Sequence, residues 1–204
     1  MKNMNSIAKS FNSQTAAFNA LCFLLLFAYC GLVSAFQFSQ TLANESTVTF
    51  GFKQMGVASE GKFNKFAAQL FFDPAKLSQA KANIEIFVDS IDTGSKEGDD
   101  EVVGKLWFNA KVYPVASFVS TGIKALGGNR YVASGRLSIK GKTLDVTTPV
   151  TFRVEGTRGI FDGSFVINRL DYGIGEGLWA DVATVADAIQ IKFHIVVNAS
   201  PAKK

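Results

Sequence analysis

The sequence predicts an all-β protein in which about eight antiparallel strands close into a barrel. Apolar and polar residues alternate along most of the chain, which is the period of a strand with one buried face. Turn residues separate the alternating stretches, most clearly at residues 127–129 (GGN), 140–142 (KGK) and 155–159 (EGTRG). The chain has no internal repeat or low-complexity tract, so one antiparallel sheet closed on itself is the simplest architecture.

Eight stretches carry the alternation. In chain order they are residues 48–52, 66–72, 84–88, 118–120, 131–140, 144–154, 159–168 and 189–197. In the sixth stretch the residues predicted to point inward are Leu144, Val146, Val150, Phe152 and Val154. Pro149 lies among them and indicates an irregularity or an edge strand, because proline cannot donate a ladder hydrogen bond.

One short helix is predicted over Glu101–Val112. It follows residues 92–101 (DTGSKEGDDE), which are rich in carboxylates and can attract a hard cation such as calcium. Their spacing does not match an EF-hand loop, so an acidic surface loop is the favoured interpretation.

The first 35 residues predict a cleaved secretory signal peptide. No residue between Lys9 and Glu45 is charged, and residues 20–35 are apolar or small. This run is short for a membrane span, which needs about 20 residues, and Val33-Ser34-Ala35 supplies small residues for cleavage after Ala35. The folded domain is therefore expected over residues 36–204, in an exported protein. An uncleaved anchor and a lipoprotein acylated at Cys30 are the alternatives.

Composition excludes several kinds of chemistry. Both cysteines, Cys22 and Cys30, lie in the predicted leader, and losing Lys2 and Lys9 lowers the net charge from +4 to +2. No basic run indicates nucleic-acid binding. His194 is the single histidine, and a solvated strand position is favoured for it over a metal site, because no second soft ligand exists. No catalytic constellation is present, so we expect neither an enzyme nor a required metal or cofactor.

Six segments carry a resemblance to a known family. They are VTFGFKQMGVASEGKFNKF (48–66), FFDP (71–74), SIDTG (90–94), WFNAKVYPVASFVS (107–120), LSIKGKT (137–143) and FDGSFVINRLDYGIGEG (161–177). In order and spacing they resemble the YceI-like family of periplasmic proteins with a lipocalin-like barrel, which bind polyisoprenoids and related long-chain lipids. The resemblance extends from about Phe36 to Val197, places the short helix near the barrel mouth and points to a periplasmic location. It is closest to a branch associated with cytochrome b561-like membrane proteins.

The resemblance implies a cavity inside the barrel, whereas periodicity alone does not decide whether the interior is hollow or filled. A barrel of about eight strands is just wide enough to be filled by side chains or to hold one small ligand. Strand phase alone assigns the predicted apolar lining of this cavity to Phe50, Phe52, Phe66, Ile86, Phe118, Phe152, Phe165, Ile167, Ile191 and Phe193. The predicted polar rim is Gln54, Asp99, Asp100, Arg169 and Asp171.

Three of the predicted rim residues carry an alternative interpretation or a departure from the family pattern. Arg169 and Asp171 are more simply interpreted as a structural ion pair than as a head-group site. Many relatives have histidine where this chain has Gln54, whose amide can keep a hydrogen-bonding role.

These features predict an exported carrier or storage protein for one long-chain apolar lipid, a polyisoprenoid or isoprenoid quinone. Burying a five-carbon unit yields roughly 3 to 4 kcal/mol, and association costs on the order of 4 to 15 kcal/mol, so the cargo should contain several units. The main alternative is a non-catalytic partner subunit of a membrane cytochrome b561-type system, whose barrel would be packed. An enzyme acting on lipid or quinone is a third interpretation.

Overall fold

The computed structural model describes residues 36–201, of which it places the side chains of residues 38–199. The leader predicted over residues 1–35 lies outside this range. The described part contains eleven strands: β1 (Phe36–Thr41), β2 (Thr47–Gln54), β3 (Val57–Phe63), β4 (Phe66–Phe71), β5 (Lys81–Phe87), β6 (Ile91–Asp92), β7 (Val115–Gly127), β8 (Arg130–Ile139), β9 (Lys142–Glu155), β10 (Arg158–Asn168) and β11 (Ala188–Pro201). It also contains one α-helix, α1 (Lys96–Val102), and short 3-10 turns. None of its helices is long and apolar enough to span a membrane.

All strands belong to one antiparallel sheet with the order β4-β5-β7-β8-β9-β10-β11-β2-β3-β6. Strand β11 pairs with β2 through residues 190–194 and with β1 through residues 197–201. The sheet curls until Phe38 of β1 meets Phe72, directly after β4, and the two residues exchange backbone hydrogen bonds of 3.0 and 3.2 Å. This bridge closes one end of the curled sheet, which confirms the predicted antiparallel barrel.

Three strands, β1, β3 and β6, were not predicted from the alternation of apolar and polar residues. In β3 both Val57 and Ala58 are exposed and the inward position is Gly61, so no apolar alternation marks the strand. Strand β6 is only two residues long, and β1 begins at Phe36 beside the predicted leader. Eleven strands therefore stand where about eight were predicted.

The predicted helix is displaced along the chain. The helix covers Lys96–Val102, whereas residues 103–112 form turns in place of the predicted Glu101–Val112 helix. Ser95 is the N-cap, and its Oγ accepts a hydrogen bond from the Gly98 amide at 3.1 Å. Acidic residues in the first turn favour this start through the helix dipole.

Strand β9 corrects the predicted inward set. Leu144 and Val154 are 39% and 55% exposed, whereas Thr148 is 4% exposed and takes an inward position. The strand pairs on both sides, so Pro149 marks no edge. The ladder between β9 and β10 ends at Val150, so Pro149 has no partner residue on β10. The missing N–H of the proline therefore costs no ladder hydrogen bond on that side.

Five aromatic residues fill the closed end of the barrel. They are Phe38, Phe72, Tyr131, Phe152 and Phe161. Their ring centroids lie as close as 4.7 Å, for Phe152 and Phe161, and several pairs are edge to face, the arrangement that aromatic rings prefer. We call this group the aromatic cluster. It closes this end of the barrel.

Elsewhere, strand glycines allow phenylalanine rings to lie flat along the wall. Gly61 of β3 lies beneath the Phe50 ring of its partner strand, and Gly163 of β10 lies beneath the Phe193 ring. A methyl group at Gly135 would lie 2.5 Å from the Phe118 ring. Glycine permits such close approach because it has no Cβ. The rings cover the neighbouring backbone and leave the centre of the barrel unfilled.

We predict that Gly61→Ala lowers the free energy of unfolding by about 1 to 3 kcal/mol, because the added methyl group overpacks the wall. It would overlap the Phe50 ring and lie 2.6 Å from the Asp92 carbonyl oxygen. Urea denaturation measures the change. The matched control is Gly51→Ala on β2, where the nearest atom to the new methyl would be 3.8 Å away. Equal stabilities for the two variants would contradict the close-packed wall.

Candidate functional site

The barrel encloses a cavity of about 510 Å³ whose wall is mainly apolar. It reaches solvent beside four exposed residues, Gln54, Ser95, Glu97 and Glu101. A smaller, almost wholly apolar cavity of about 150 Å³ continues toward the aromatic cluster. The two cavities share six wall residues: Val48, Ile86, Ala116, Leu137, Phe165 and Ile191. The interior is therefore an elongated, largely apolar space, and we call its polar opening beside these four residues the mouth.

Strand phase placed most of the predicted lining on the cavity walls. The larger cavity is lined by Phe50, Phe52, Ile86, Phe165, Ile167 and Ile191, and by the predicted rim residues Gln54 and Arg169. The smaller cavity is lined by Ile86, Phe118, Phe165, Ile191 and Phe193. Contact of these residues with a ligand stays a prediction.

Two residues of the predicted lining reach neither cavity. Phe152 points inward as expected, but it is 6% exposed and packs within the aromatic cluster. Phe66 also packs against that group of buried residues. The strand phase of both was correct. Phe152 lies at the closed end of the barrel, whereas Phe66 pairs with Ile86, which lines both cavities, and packs toward the buried group instead.

Three predicted rim residues are also corrected. Asp99 accepts hydrogen bonds from the Thr93 amide at 2.6 Å and the Thr93 hydroxyl at 2.8 Å, so it fixes the start of α1. Asp100 pairs with Lys96 on the exposed face of the helix. Asp171 is exposed and lines neither cavity. The helix turns other carboxylates to the cavity, those of Glu97 and Glu101, which lie one turn apart.

Arg169 is 1% exposed and forms no ion pair with Asp171 in the described part of the chain. Its guanidinium donates hydrogen bonds to five backbone carbonyl oxygens. The acceptors are Ile174 (2.8 Å), Gly175 (3.1 Å), Trp179 (2.7 Å), Val185 (2.7 Å) and Ala186 (3.2 Å). Burial lowers the pKa of Arg169, and the nearby Asp187 acts in the opposite direction. The charge is thus held by carbonyl dipoles, and the predicted Arg169–Asp171 ion pair is wrong.

These carbonyls belong to residues 173–187, which we call the mouth loop. Trp107 packs against it, with its ring centroid 5.5 Å from the Arg169 guanidinium and 5.3 Å from the Trp179 ring centroid. The Trp107 indole N–H also donates to Glu101 of α1 at 3.2 Å. Lys140 donates to the Gly173 carbonyl at 2.6 Å and to Glu176 at 2.9 Å. Arg169 therefore connects the barrel to the loop and helix that surround the mouth.

Sequence reasoning missed several wall residues of the larger cavity. Those with large apolar side chains are Val48, Phe63, Ile91, Val102, Trp107, Phe108, Leu137, Ile139, Ile174, Trp179, Val185 and Ile189. Phe63 was missed with its strand β3. Four others, Val48, Leu137, Ile139 and Ile189, lie on predicted strands. The remainder lie in β6, α1, turns and the mouth loop, where no alternation exists, although Trp107 belongs to a segment that carries the family resemblance.

His194 lies on the outer face, where its Nδ1 is 2.6 Å from Asp162. Partial burial acts to raise the pKa of Asp162, but hydrogen bonds with His194 and Arg153 outweigh it and lower that pKa. No group of three or more potential metal-ligating side chains occurs among the residues that the structure describes. This dyad is separate from the cavity.

An antiparallel barrel that is sealed at one end and hollow and apolar inside has the architecture of lipocalin-like binding proteins. The chain belongs to the YceI-like domain family, whose sequence profile matches residues 40–197.

Comparison with individual proteins agrees with this assignment. A UPF0312 protein of Shewanella denitrificans is 30% identical over 145 residues, which are 66% of this chain and 74% of that protein. A UPF0312 protein of Pseudomonas savastanoi is 32% identical over 120 residues, 56% of this chain, and the chain spans 62% of its length.

Among solved structures, BcnA from Burkholderia cenocepacia matches with a TM-score of 0.75 and 48% identity, over 77% of this chain and 99% of BcnA. A polyisoprenoid binding domain from Saccharophagus degradans, implicated in plant cell wall breakdown, matches with a TM-score of 0.61 and 17% identity, over 81% of this chain and 99% of that domain. At this identity the second match shows the fold alone.

We predict that Arg169→Met lowers the free energy of unfolding by about 3 kcal/mol or more, because it leaves buried carbonyls of the mouth loop without donors. Chemical denaturation measures this loss. Arg136→Met on β8 is the control, since Arg136 is exposed and should tolerate the change within about 0.5 kcal/mol. If the two variants lose the same stability, Arg169 does not organise the mouth.

Proposed function

We propose that the protein is a carrier or storage protein that holds one long-chain apolar lipid, of the isoprenoid class, inside the barrel. The observation that carries the proposal is the apolar cavity of about 510 Å³ and its continuation into a second apolar cavity of about 150 Å³. Ligand pockets of proteins typically measure about 300 to 1,000 Å³. The size and apolar wall of this space fit a flexible hydrocarbon chain.

The mechanism of such a carrier is burial of the chain. Each buried methylene contributes about 0.8 kcal/mol, which must exceed an association cost on the order of 4 to 15 kcal/mol. Chains of several five-carbon units satisfy this condition, and an elongated cavity suits them. The resemblance to the YceI-like family, which implies polyisoprenoid ligands, supports the isoprenoid class. An isoprenoid quinone meets the same requirement through its tail.

The cavity also bears on the alternative of a partner subunit for a cytochrome b561-like membrane protein. That alternative expects a barrel filled by its own side chains, because its surface alone would be functional. An unfilled interior favours the carrier.

We predict that Ile167→Trp lowers affinity for a fluorescent prenyl probe by about tenfold or more while stability hardly changes. Ile167 is 7% exposed on the wall of the larger cavity, so an indole there would occupy the space of the ligand. Titration of delipidated protein measures affinity, and thermal unfolding measures stability. The matched control is Val166→Trp, the adjacent residue on the outer face of β10, which is 59% exposed; its affinity should equal that of the wild type.

A filled barrel gives a different result. Extra atoms at residue 167 would then overpack the core and lower the free energy of unfolding by about 1 to 3 kcal/mol. That loss of stability, with unchanged probe affinity in the folded fraction, would refute the carrier.

We further propose that the carrier acts after export, in the periplasm, without residues 1–35. The expected exported form begins at Phe36, because Val33 and Ala35 end an apolar run of suitable length. Intact mass and N-terminal sequencing of protein recovered from the periplasm test this. A start at Cys30 with an added acyl mass would indicate an anchored protein instead.

A further inference from the structure

The polar part of the larger cavity's wall lies mainly at the mouth. It consists mainly of Gln54, Thr93, Ser95, Glu97, Glu101 and Arg169. A lipid whose tail fills the apolar interior has its head group among these side chains. Their charges and their available hydrogen-bonding groups therefore determine which head groups are compatible with the site.

Arg169 is the only basic residue among the described residues that line the larger cavity. A guanidinium has five N–H donors, and all five of those on Arg169 are directed to backbone carbonyls. Its side chain is almost wholly buried. Recognition of a phosphate by arginine requires N–H donors aimed at the phosphate oxygens. Arg169 has no N–H donor left for such a contact.

Two carboxylates face the cavity from α1. Glu97 and Glu101 lie one helical turn apart and both line the mouth. The Trp107 indole holds one oxygen of Glu101 by a hydrogen bond of 3.2 Å. Carboxylates are negatively charged at neutral pH and only accept hydrogen bonds. They repel a phosphate or diphosphate and accept a hydrogen bond from a hydroxyl.

The nearby lysines do not offset these carboxylates at the cavity wall. Lys96 pairs with Asp100 on the exposed face of α1. Lys140 is bound to the Gly173 carbonyl and to Glu176. Neither lysine lines the cavity.

We infer that the mouth selects lipids with an uncharged head group, such as the hydroxyl of a prenol or the carbonyls of a quinone, and excludes phosphate and diphosphate esters of the same chains. The Gln54 amide both donates and accepts hydrogen bonds, and the hydroxyls of Thr93 and Ser95 can do the same. These groups suit a neutral polar head. The inference rests on the proposed function, because it concerns the head group of a lipid bound in this cavity.

Competition between two ligands with the same tail tests the inference. Each of geranylgeraniol and geranylgeranyl diphosphate is titrated against a fluorescent prenyl probe bound to the protein. The ratio of the alcohol's affinity to the diphosphate's affinity then reports the effect of the head group. We expect the alcohol to bind at least about tenfold more tightly. In Glu97→Gln/Glu101→Gln the ratio should fall roughly fivefold or more, because two nearby negative charges are removed.

The matched control is Glu85→Gln/Asp89→Asn. It removes the same number of negative charges from exposed residues that do not line the cavity, so it should leave the ratio at its wild-type value. Thermal unfolding of both double variants checks that each is folded.

Three results would overturn the inference. The diphosphate could bind wild-type protein as tightly as the alcohol, or the ratio could stay unchanged in Glu97→Gln/Glu101→Gln, or the control could lower it equally. In each case the prenyl probe still binds and the carrier function stands. Failure of the probe to bind wild-type protein is distinguishable, because it removes the proposed function and the inference together.

Discussion

The hydrogen bonds from the Arg169 guanidinium are the interaction on which the mouth of the barrel depends. The mouth loop has little regular structure of its own, so its inward carbonyls need donors that no strand supplies. One buried cation satisfies five of them and stacks on Trp107, which in turn contacts α1 through Glu101. A hydrophobic residue of similar length could fill the same volume, but it could not pair the carbonyls.

The hollow interior depends on a second constraint, the pairing of glycine with phenylalanine across neighbouring strands. A chain with many phenylalanines would be expected to fill a narrow barrel. Gly61 and Gly163 instead allow the rings of Phe50 and Phe193 to cover backbone, so those side chains contribute wall area without occupying the centre. At the closed end, where rings such as Phe72 and Phe161 meet edge to face, the same residue type fills the interior.

Strand phase could be predicted from the sequence, and depth along the barrel could not. Alternation assigned Phe50, Phe165 and Ile167 to the inner face correctly, and these residues line a cavity. It assigned Phe152 equally well, yet that ring is packed at the closed end, because alternation is the same at every depth. The prediction of the rim residues was wrong for another reason. The helix begins at Lys96 and not at the predicted Glu101, and in this position it places Glu97 at the cavity in place of Asp99 and Asp100.

The bridge between Phe38 and Phe72 has a consequence for how the barrel forms. Strand β1, which makes this bridge, is held by the far end of β11, where Phe36 pairs with Pro201. The first and last described strands must therefore meet before the closed end exists. Such distant pairing carries a large loop-closure entropy and is typical of slow-folding topologies. Until β11 is in place, the aromatic cluster lacks its covering strand, and the apolar interior is open to water at both ends.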